Sequence, residues 1–368
     1  MEGSATTNDV AMVEIPIAEA TQICVTALEK AGYSTSDAET ITDHLVDAEL
    51  RGAPFAGLAR ALSIIDRLRE SGPGPGPGSG SGSGPGSRSR WDSATPQSST
   101  DIEVVSDGAS FVRLDGHDAV GYLVARRATE LAIEKAKTSG VAVVGANNFW
   151  YSGNLAYYAE QATRQDLVCI LASNTLPLVA PEGAVEARFG TNPICIGFPT
   201  SRVDRPVIWD IGTSNIMHAQ MMRAQRLGID LPEGAAYSKE GDLTTDPAAA
   251  LEGALTVWGG HKGSGLAVMV QLLGMAAGSS AIPSTLSGFG YLALMFDPAV
   301  LRPIEEVKGE ADEYGEFHRS ARTADGEHGG VRMPFDGSYE RRKATTERGS
   351  LNVPAKVIDQ LRQIGVQN

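Results

Sequence analysis

Residues able to do chemistry are concentrated between Phe189 and Met269. The stretch reads F-G-T-N-P-I-C-I-G-F-P, then V-I-W-D-I-G-T-S, then G-G-H-K-G-S-G-L-A-V-M. Each piece sets an apolar strand or helix against a turn of Gly, Thr, Asn or Ser. Glycine lets a backbone approach a ligand closely and takes φ angles that other residues avoid. Asn192, Thr213, Ser214, His261 and Lys262 add polar groups suited to a negatively charged ligand. In the last piece, Gly259 to Gly265 precedes Leu266, Met269, Val270 and Leu273, the i, i+3, i+4, i+7 spacing of a buried helix. A glycine-rich turn entering a helix leaves free N–H groups at the positive end of the dipole, where phosphate binds. A tight turn into a core helix gives the same pattern.

The surrounding elements read as strands interleaved with helices. Ile15 to Ala31 is predicted as a helix stopped by Gly32, after a loose tail over residues 1–14. Ser36 to Glu39 reads as a capping box. It opens a helix with Ala38, Ile41, Leu45 and Ala48 on one stripe and His44 at its partly exposed edge. Leu58 to Leu68 is a further helix. Ser71 to Ser89 is almost pure Gly, Pro and Ser and cannot bury apolar surface; a disordered linker is expected over 71–100. Short strands at Ile102–Val105 and Phe111–Leu114 precede a long helix, Val120 to Thr138. Strands at 141–144, 168–172, 194–198, 206–209 and 291–296 and helices at 155–164, 217–226 and 354–364 complete the reading. No G-x-G-x-x-G follows a strand, so the usual dinucleotide fingerprint is absent.

The 368 residues allow two domains. A net charge of −14 disfavours nucleic acid and anionic membrane as partners. Cys24, Cys169 and Cys195 sit far apart among apolar residues, an odd, sparse set that argues against a disulfide framework or a zinc site. Residues 1–10 lack a signal-peptide pattern, and the apolar run from Leu266 to Ala277 is too short to span a bilayer. The expectation is a cytoplasmic protein holding no metal and taking a small-molecule substrate. His218, His318 and His328 have no partner at metal-ligand spacing, and His117 lies in a turn; none receives a role.

Six spaced motifs resemble the malate/L-lactate dehydrogenase family, which also includes ureidoglycolate dehydrogenase, 2,3-diketogulonate reductase, sulfolactate dehydrogenase and piperideine-2-carboxylate reductase. They are Ala48-Glu49-Leu50-Arg51-Gly52; Ser173-Asn174 with Ala180-Pro181; Gly190-Thr191-Asn192-Pro193; Asp210-Ile211-Gly212-Thr213-Ser214; Gly241-Asp242-Leu243-Thr244-Thr245-Asp246; and Gly259-Gly260-His261-Lys262-Gly263. The resemblance implies an α+β fold with a helical part built from both chain ends and a central mixed-sheet part that binds NAD or NADP without the Rossmann fingerprint. The corresponding segments are 1–70, 71–100 as linker, 101–300 and 301–368. It also implies a homodimer that moves hydride between the nicotinamide and a 2-oxo acid or the C=N bond of a cyclic imino acid. By position, Asn174, Asn192, Asp210, Thr213, Ser214, His261, Lys262 and Gly263 fall on the cofactor side. Arg60 matches an arginine that would hold the substrate carboxylate, a task suited to its fork of donors; without the resemblance it reads first as a solvated helix charge.

The chain departs from the family around the substrate. Where the family has Ser-His-Gly, it has Phe55-Ala56-Gly57, and neither Phe55 nor Ala56 moves a proton. A second family histidine falls on Tyr151 in Asn148-Phe149-Trp150-Tyr151. The Pro-Gly-Glu near the C-terminal cofactor contact is Pro334-Phe335-Asp336. Tyr151 is therefore the candidate catalytic group, with Arg60, Phe55 and Asn148 on the substrate side; the aromatic run also reads as a pocket wall. A lost general acid costs about 10²–10⁴-fold in rate, which tilts the expectation toward an already protonated C=N substrate. A repurposed non-redox enzyme, such as a cyclase, isomerase or lyase, stays open beside the oxidoreductase.

Overall fold

The computed structural model describes residues 10–70, 96–324 and 330–366. The chain enters through β1 (Met12–Pro16) and runs into three helices, α1 (Ile17–Lys30), α2 (Thr35–Leu50) and α3 (Ala59–Glu70). The centre begins β2 (Glu103–Asp107), β3 (Phe111–Val120), α4 (Gly121–Ser139), β4 (Val141–Trp150), α5 (Leu155–Thr163) and β5 (Val168–Ser173). It continues β6 (Val179–Ala180), β7 (Ile194–Phe198), β8 (Val207–Ile211), α6 (His218–Leu227), β9 (Ala236–Tyr237) and β10 (Leu243–Thr244). Then come α7 (Pro247–Glu252), β11 (Ala254–Thr256), α8 (Gly260–Ala276) and β12 (Gly290–Phe296). The chain ends with α9 (Ile304–Arg319), α10 (Asp336–Arg348), β13 (Ser350–Pro354) and α11 (Ala355–Val366).

The central sheet has the order β2-β3-β4-β12-β5-β7-β8. Only β3 and β4 run parallel, joined through α4; the other pairs are antiparallel. A small sheet, β10-β9-β11-β6, carries a second apolar core around Val179, Phe189, Ile216 and Leu255. The two chain ends meet: β1 pairs antiparallel with β13, and α1 packs on α11. This is the α+β arrangement expected, without a doubly wound parallel sheet.

Several local expectations are corrected. Part of the expected tail is β1, while residues 1–9 lie outside the described residues. The cap of α2 is Ser34, which accepts the Asp37 N–H, not Ser36. The expected linker lies outside the described residues over 71–95. Its last five residues pack instead: Pro96 is buried against Gly32, and the Ser99 N–H donates to Asp37. His44 is buried, not edge-exposed. Its Nε2 accepts the Asn154 N–H at 2.8 Å among the rings of Tyr122, Tyr157 and Tyr158. The glycine stretch before Leu266 is not a turn but the first turns of α8, capped by Gly259 at φ 69°. Nor is α8 a buried helix throughout, because Met269 is 53% exposed.

An ionic centre joins both chain ends to the middle. Glu160 on α5 is 3% exposed and accepts from Arg51 at the end of α2 and from both terminal nitrogens of Arg342 on α10. Asp47 pairs with the same two arginines. Burial opposes ionisation of Glu160, but the Arg342 hydrogen bonds and the Arg51 charge outweigh it and hold its pKa at about 2. Removing one partner of a buried pair costs about 3–5 kcal/mol, because the other charge is left uncompensated. Glu160→Gln is expected to lose about that much stability at neutral pH in urea unfolding. The carboxyl pKa is lower in the folded chain than its ordinary 4.5, so its contribution is full above 4.5 and lost as pH falls through about 2. The gap between wild type and variant should close over that window.

Candidate functional site

A cavity of about 170 Å3 opens where the helical part meets the central part. Phe55, Ala56 and Arg60 form one side. They are set by Glu49, whose carboxylate accepts the Leu58 N–H at 2.9 Å and so pins the loop after α2. Burial pushes Glu49 up to about 7, partly offset by that N–H. Tyr122 on α4, residues 151–154, Asp210 and Gly212 at the end of β8, and His218 opening α6 complete the lining.

Arg60 is 6% exposed, and its guanidinium lies 3.9 Å above the centre of the Tyr151 ring. Tyr151 reaches that position from a backbone with φ 57°, a conformation L-residues rarely take. One terminal nitrogen of Arg60 is buried without a hydrogen-bond partner, and no carboxylate pairs with Arg60 among the described residues. A buried unpaired donor is costly, and this one borders the cavity. Asp210 accepts the Ala156 N–H at 2.7 Å and caps α5, whose own Asn154 makes no side-chain cap. Burial raises Asp210 to about 6 against that hydrogen bond.

The structure thus gathers Tyr151, Arg60, Phe55 and Asp210 at one cavity. Asn148 is not there: it is exposed, at φ 56°, and donates to both oxygens of Asp115. Of the aromatic run only Tyr151 reaches the wall, because Phe149 is buried in the core and the Trp150 indole donates to the Asp118 carbonyl.

Most polar residues of the expected cofactor side are spent within the protein. Asn174 donates to Ser279 at 2.8 Å and accepts the Gly290 N–H at 2.8 Å, and a side chain at Gly274 would strike it. Asn192, at φ 35°, donates to the Ala267 carbonyl and to Gln271 on α8. Thr213 donates to the carbonyls of Thr191 and Asn192, and Ser214 to that of Ile216. Gly263 permits close approach, since a Cβ there would collide with the Trp258 carbonyl. His261 and Lys262 remain exposed on the first turn of α8. The Trp258 N–H donates to the Thr213 carbonyl and Ser214 bridges Val257, so one strip of backbone runs from Asp210 at the cavity to the start of α8.

His218 is the residue that spacing arguments missed. It is half-buried in the cavity, its ring 6.3 Å from that of Tyr151. The available signal was its place four residues after the Asp210–Ser214 motif. Phe335, at the altered Pro-Gly-Glu position, sits at φ 80°. There it puts its ring under Arg51 of the ionic centre, at 5.0 Å.

Residues 80–362 match the profile of the malate/L-lactate dehydrogenases. The chain belongs to that family. The L-sulfolactate dehydrogenase of Methanocaldococcus jannaschii is 30% identical over 93% of this chain and 94% of its own length. The Delta(1)-pyrroline-2-carboxylate/Delta(1)-piperideine-2-carboxylate reductase of Pseudomonas putida is 30% identical over 92% of this chain and 93% of its own. The crystal structure of a dehydrogenase from Sinorhizobium meliloti superimposes with a TM-score of 0.81 at 29% identity, covering 97% of this chain and 99% of that one. Like its family, the chain is an NAD(P)-dependent oxidoreductase, which sets the non-redox alternative aside.

Asn174→Ala is expected to destabilise the ligand-free protein by about 1–3 kcal/mol, because the Gly290 N–H loses its side-chain acceptor. Urea unfolding without nucleotide measures it; an unchanged midpoint would mean that Asn174 acts only through a ligand.

Proposed function

We propose that the cavity reduces the C=O or C=N bond of a small 2-oxo or cyclic imino acid, reversibly, with the substrate carboxylate on Arg60. The observation that carries this is the buried, unpaired guanidinium nitrogen beside Tyr151. Phe55 walls the substrate on the helical side. The relatives named above act on acids of this kind, which supports the same class here.

The residues fit an anionic dinucleotide. Gly259 and Gly260 carry φ of 69° and 58°, and the first turn of α8 presents exposed His261 and Lys262. Free N–H groups at a helix start favour phosphate, so these residues would hold the diphosphate. Asp210 and the Gly212–Ser214 backbone, which lead from there to the cavity, would flank the nicotinamide. When bound, that group gives or accepts the hydride. Asn174, Asn192, Thr213 and Gly263 serve the nucleotide indirectly, by fixing α8 against β5 and β8. Tyr151 acts first as the support that holds Arg60 by cation–π contact.

We further propose a homodimer built on α8. Val268, Met269, Leu272 and Met275 are 43, 53, 49 and 37% exposed on one helix, and no described residue covers them. An exposed apolar face of that kind marks an interface. The three free, buried cysteines fit a reducing compartment and hence the cytoplasm.

Titration with NADH and NADPH, followed by nucleotide fluorescence, tests the reading. Saturable binding of one is expected, and no binding of either at millimolar concentration would remove it. Arg60→Lys keeps the charge but loses the fork. KM for a 2-oxo acid should rise by about tenfold or more, the value of one charged hydrogen bond, with NADH affinity unchanged. Leu272→Glu should convert the dimer to a monomer in light scattering; a wild-type monomer would exclude the α8 interface.

A further inference from the structure

Reducing a 2-oxo acid moves a hydride to the carbonyl carbon. The C=O π pair then becomes an oxygen lone pair that takes up one proton; oxidation of the 2-hydroxy acid reverses both transfers. A group in the cavity has to handle that proton. Among the described residues, the titratable side chains lining the cavity are Arg60, Tyr122, Tyr151, Asp210 and His218. Arg60 does not deprotonate. Burial raises the pKa of the Tyr122 hydroxyl, outweighing the lowering by the Arg60 it lies against. Tyr151 gives its ring face to Arg60. Asp210 has an oxygen engaged at the start of α5. His218 alone presents an imidazole without a hydrogen-bond partner among the described residues.

We propose that His218 gives and takes the proton at the substrate oxygen, supplying from α6 the imidazole that Ala56 lacks in the same cavity. This rests on the oxidoreductase reading above. The placement is fixed. Arg226 on α6 pairs with Asp66 on α3 at 2.6 Å, Gln220 accepts the Met217 N–H at 2.7 Å, and Ser214 holds the Ile216 carbonyl. Arg60, from α3, bears on the same ring, and Tyr151, Tyr122 and Asp210 face it from the central part. Burial, helped by the Arg60 charge, pushes His218 down to about 3, so in the free protein it is a neutral base ready to accept the hydroxyl proton. The positive end of α6 works in the same direction. A substrate carboxylate on Arg60 cancels part of that charge. Its binding therefore raises the proton affinity of His218, the direction that proton donation in the reverse reaction requires.

The test is an NMR pH titration of histidine-labelled full-length protein, with and without oxamate, an unreactive amide analogue of a 2-oxo acid. His218→Gln assigns the signal, and His218→Asn serves if the Gln variant does not fold. With oxamate the His218 midpoint should move up by about one unit or more. His218→Gln should lose about 10²–10⁴-fold in kcat/KM with a 2-oxo acid and NADH, regain part with added imidazole, and bind NADH as the wild type does. An unmoved midpoint, or kcat/KM near the wild-type value in the variant, would overturn the assignment and leave the oxidoreductase reading intact. Failure of the wild type to bind either NADH or NADPH would overturn both.

Discussion

The buried carboxylate of Glu160 is the constraint on which the rest depends. The three groups come from distant parts of the chain: Arg51 from the end of α2, Arg342 from α10 and Glu160 itself from α5. Buried charge is unfavourable unless its partners are in place, so satisfying Glu160 brings both chain ends onto the central part. The cavity lies beside that junction. Immediately after Arg51 comes the loop bearing Phe55 and Ala56, pinned by Glu49; α5, which carries Glu160, is capped by Asp210 on the opposite wall. Phe335 spends an unfavourable φ of 80° to cover the same centre with its ring, where the family motif has glycine.

Within that frame the polar residues divide by task. The carboxamides of Asn174 and Asn192 and the hydroxyl of Thr213 are consumed in fixing α8 and the adjoining turns. At the cavity and the start of α8, the groups left with unmet capacity among the described residues are one nitrogen of Arg60, the ring of His218, and the exposed side chains of His261 and Lys262. An oxidoreductase of small acids needs this division. Hydrogen-bonded architecture stays rigid, and on the proposed reading the unpaired groups at the cavity meet the ligand.

Much of the fold was legible because apolar periodicity and glycine stops report local structure directly. The helix from Gly121 to Ser139 with Gly140 left-handed at its end, and the strand at Ile194–Phe198, followed the pattern closely. Failures came where long-range contacts decided the outcome. Residues 260–265 look like a turn, yet they form the start of α8, where Gly263 packs closely on the Trp258 carbonyl. His44 looks like an edge residue, yet the loop at Asn154 and three tyrosines bury it. At the site, Arg60 and Asp210 were legible through motif position. Asn148 was misplaced, because the bulged junction between β3 and β4 turns it onto Asp115. His218 carried only its place four residues after the Asp210–Ser214 motif, and that gains meaning once α6 docks on α3.

The central claim is that the acid's carboxylate sits on Arg60 with its reactive carbon between the nicotinamide and His218. A crystal structure with NADH and oxamate bound addresses it most directly. The account expects both carboxylate oxygens within hydrogen-bond reach of the Arg60 guanidinium, the amide carbonyl oxygen on His218, and the diphosphate at the first turn of α8. Oxamate bound away from Arg60, or a nicotinamide lying outside the cavity, would contradict it.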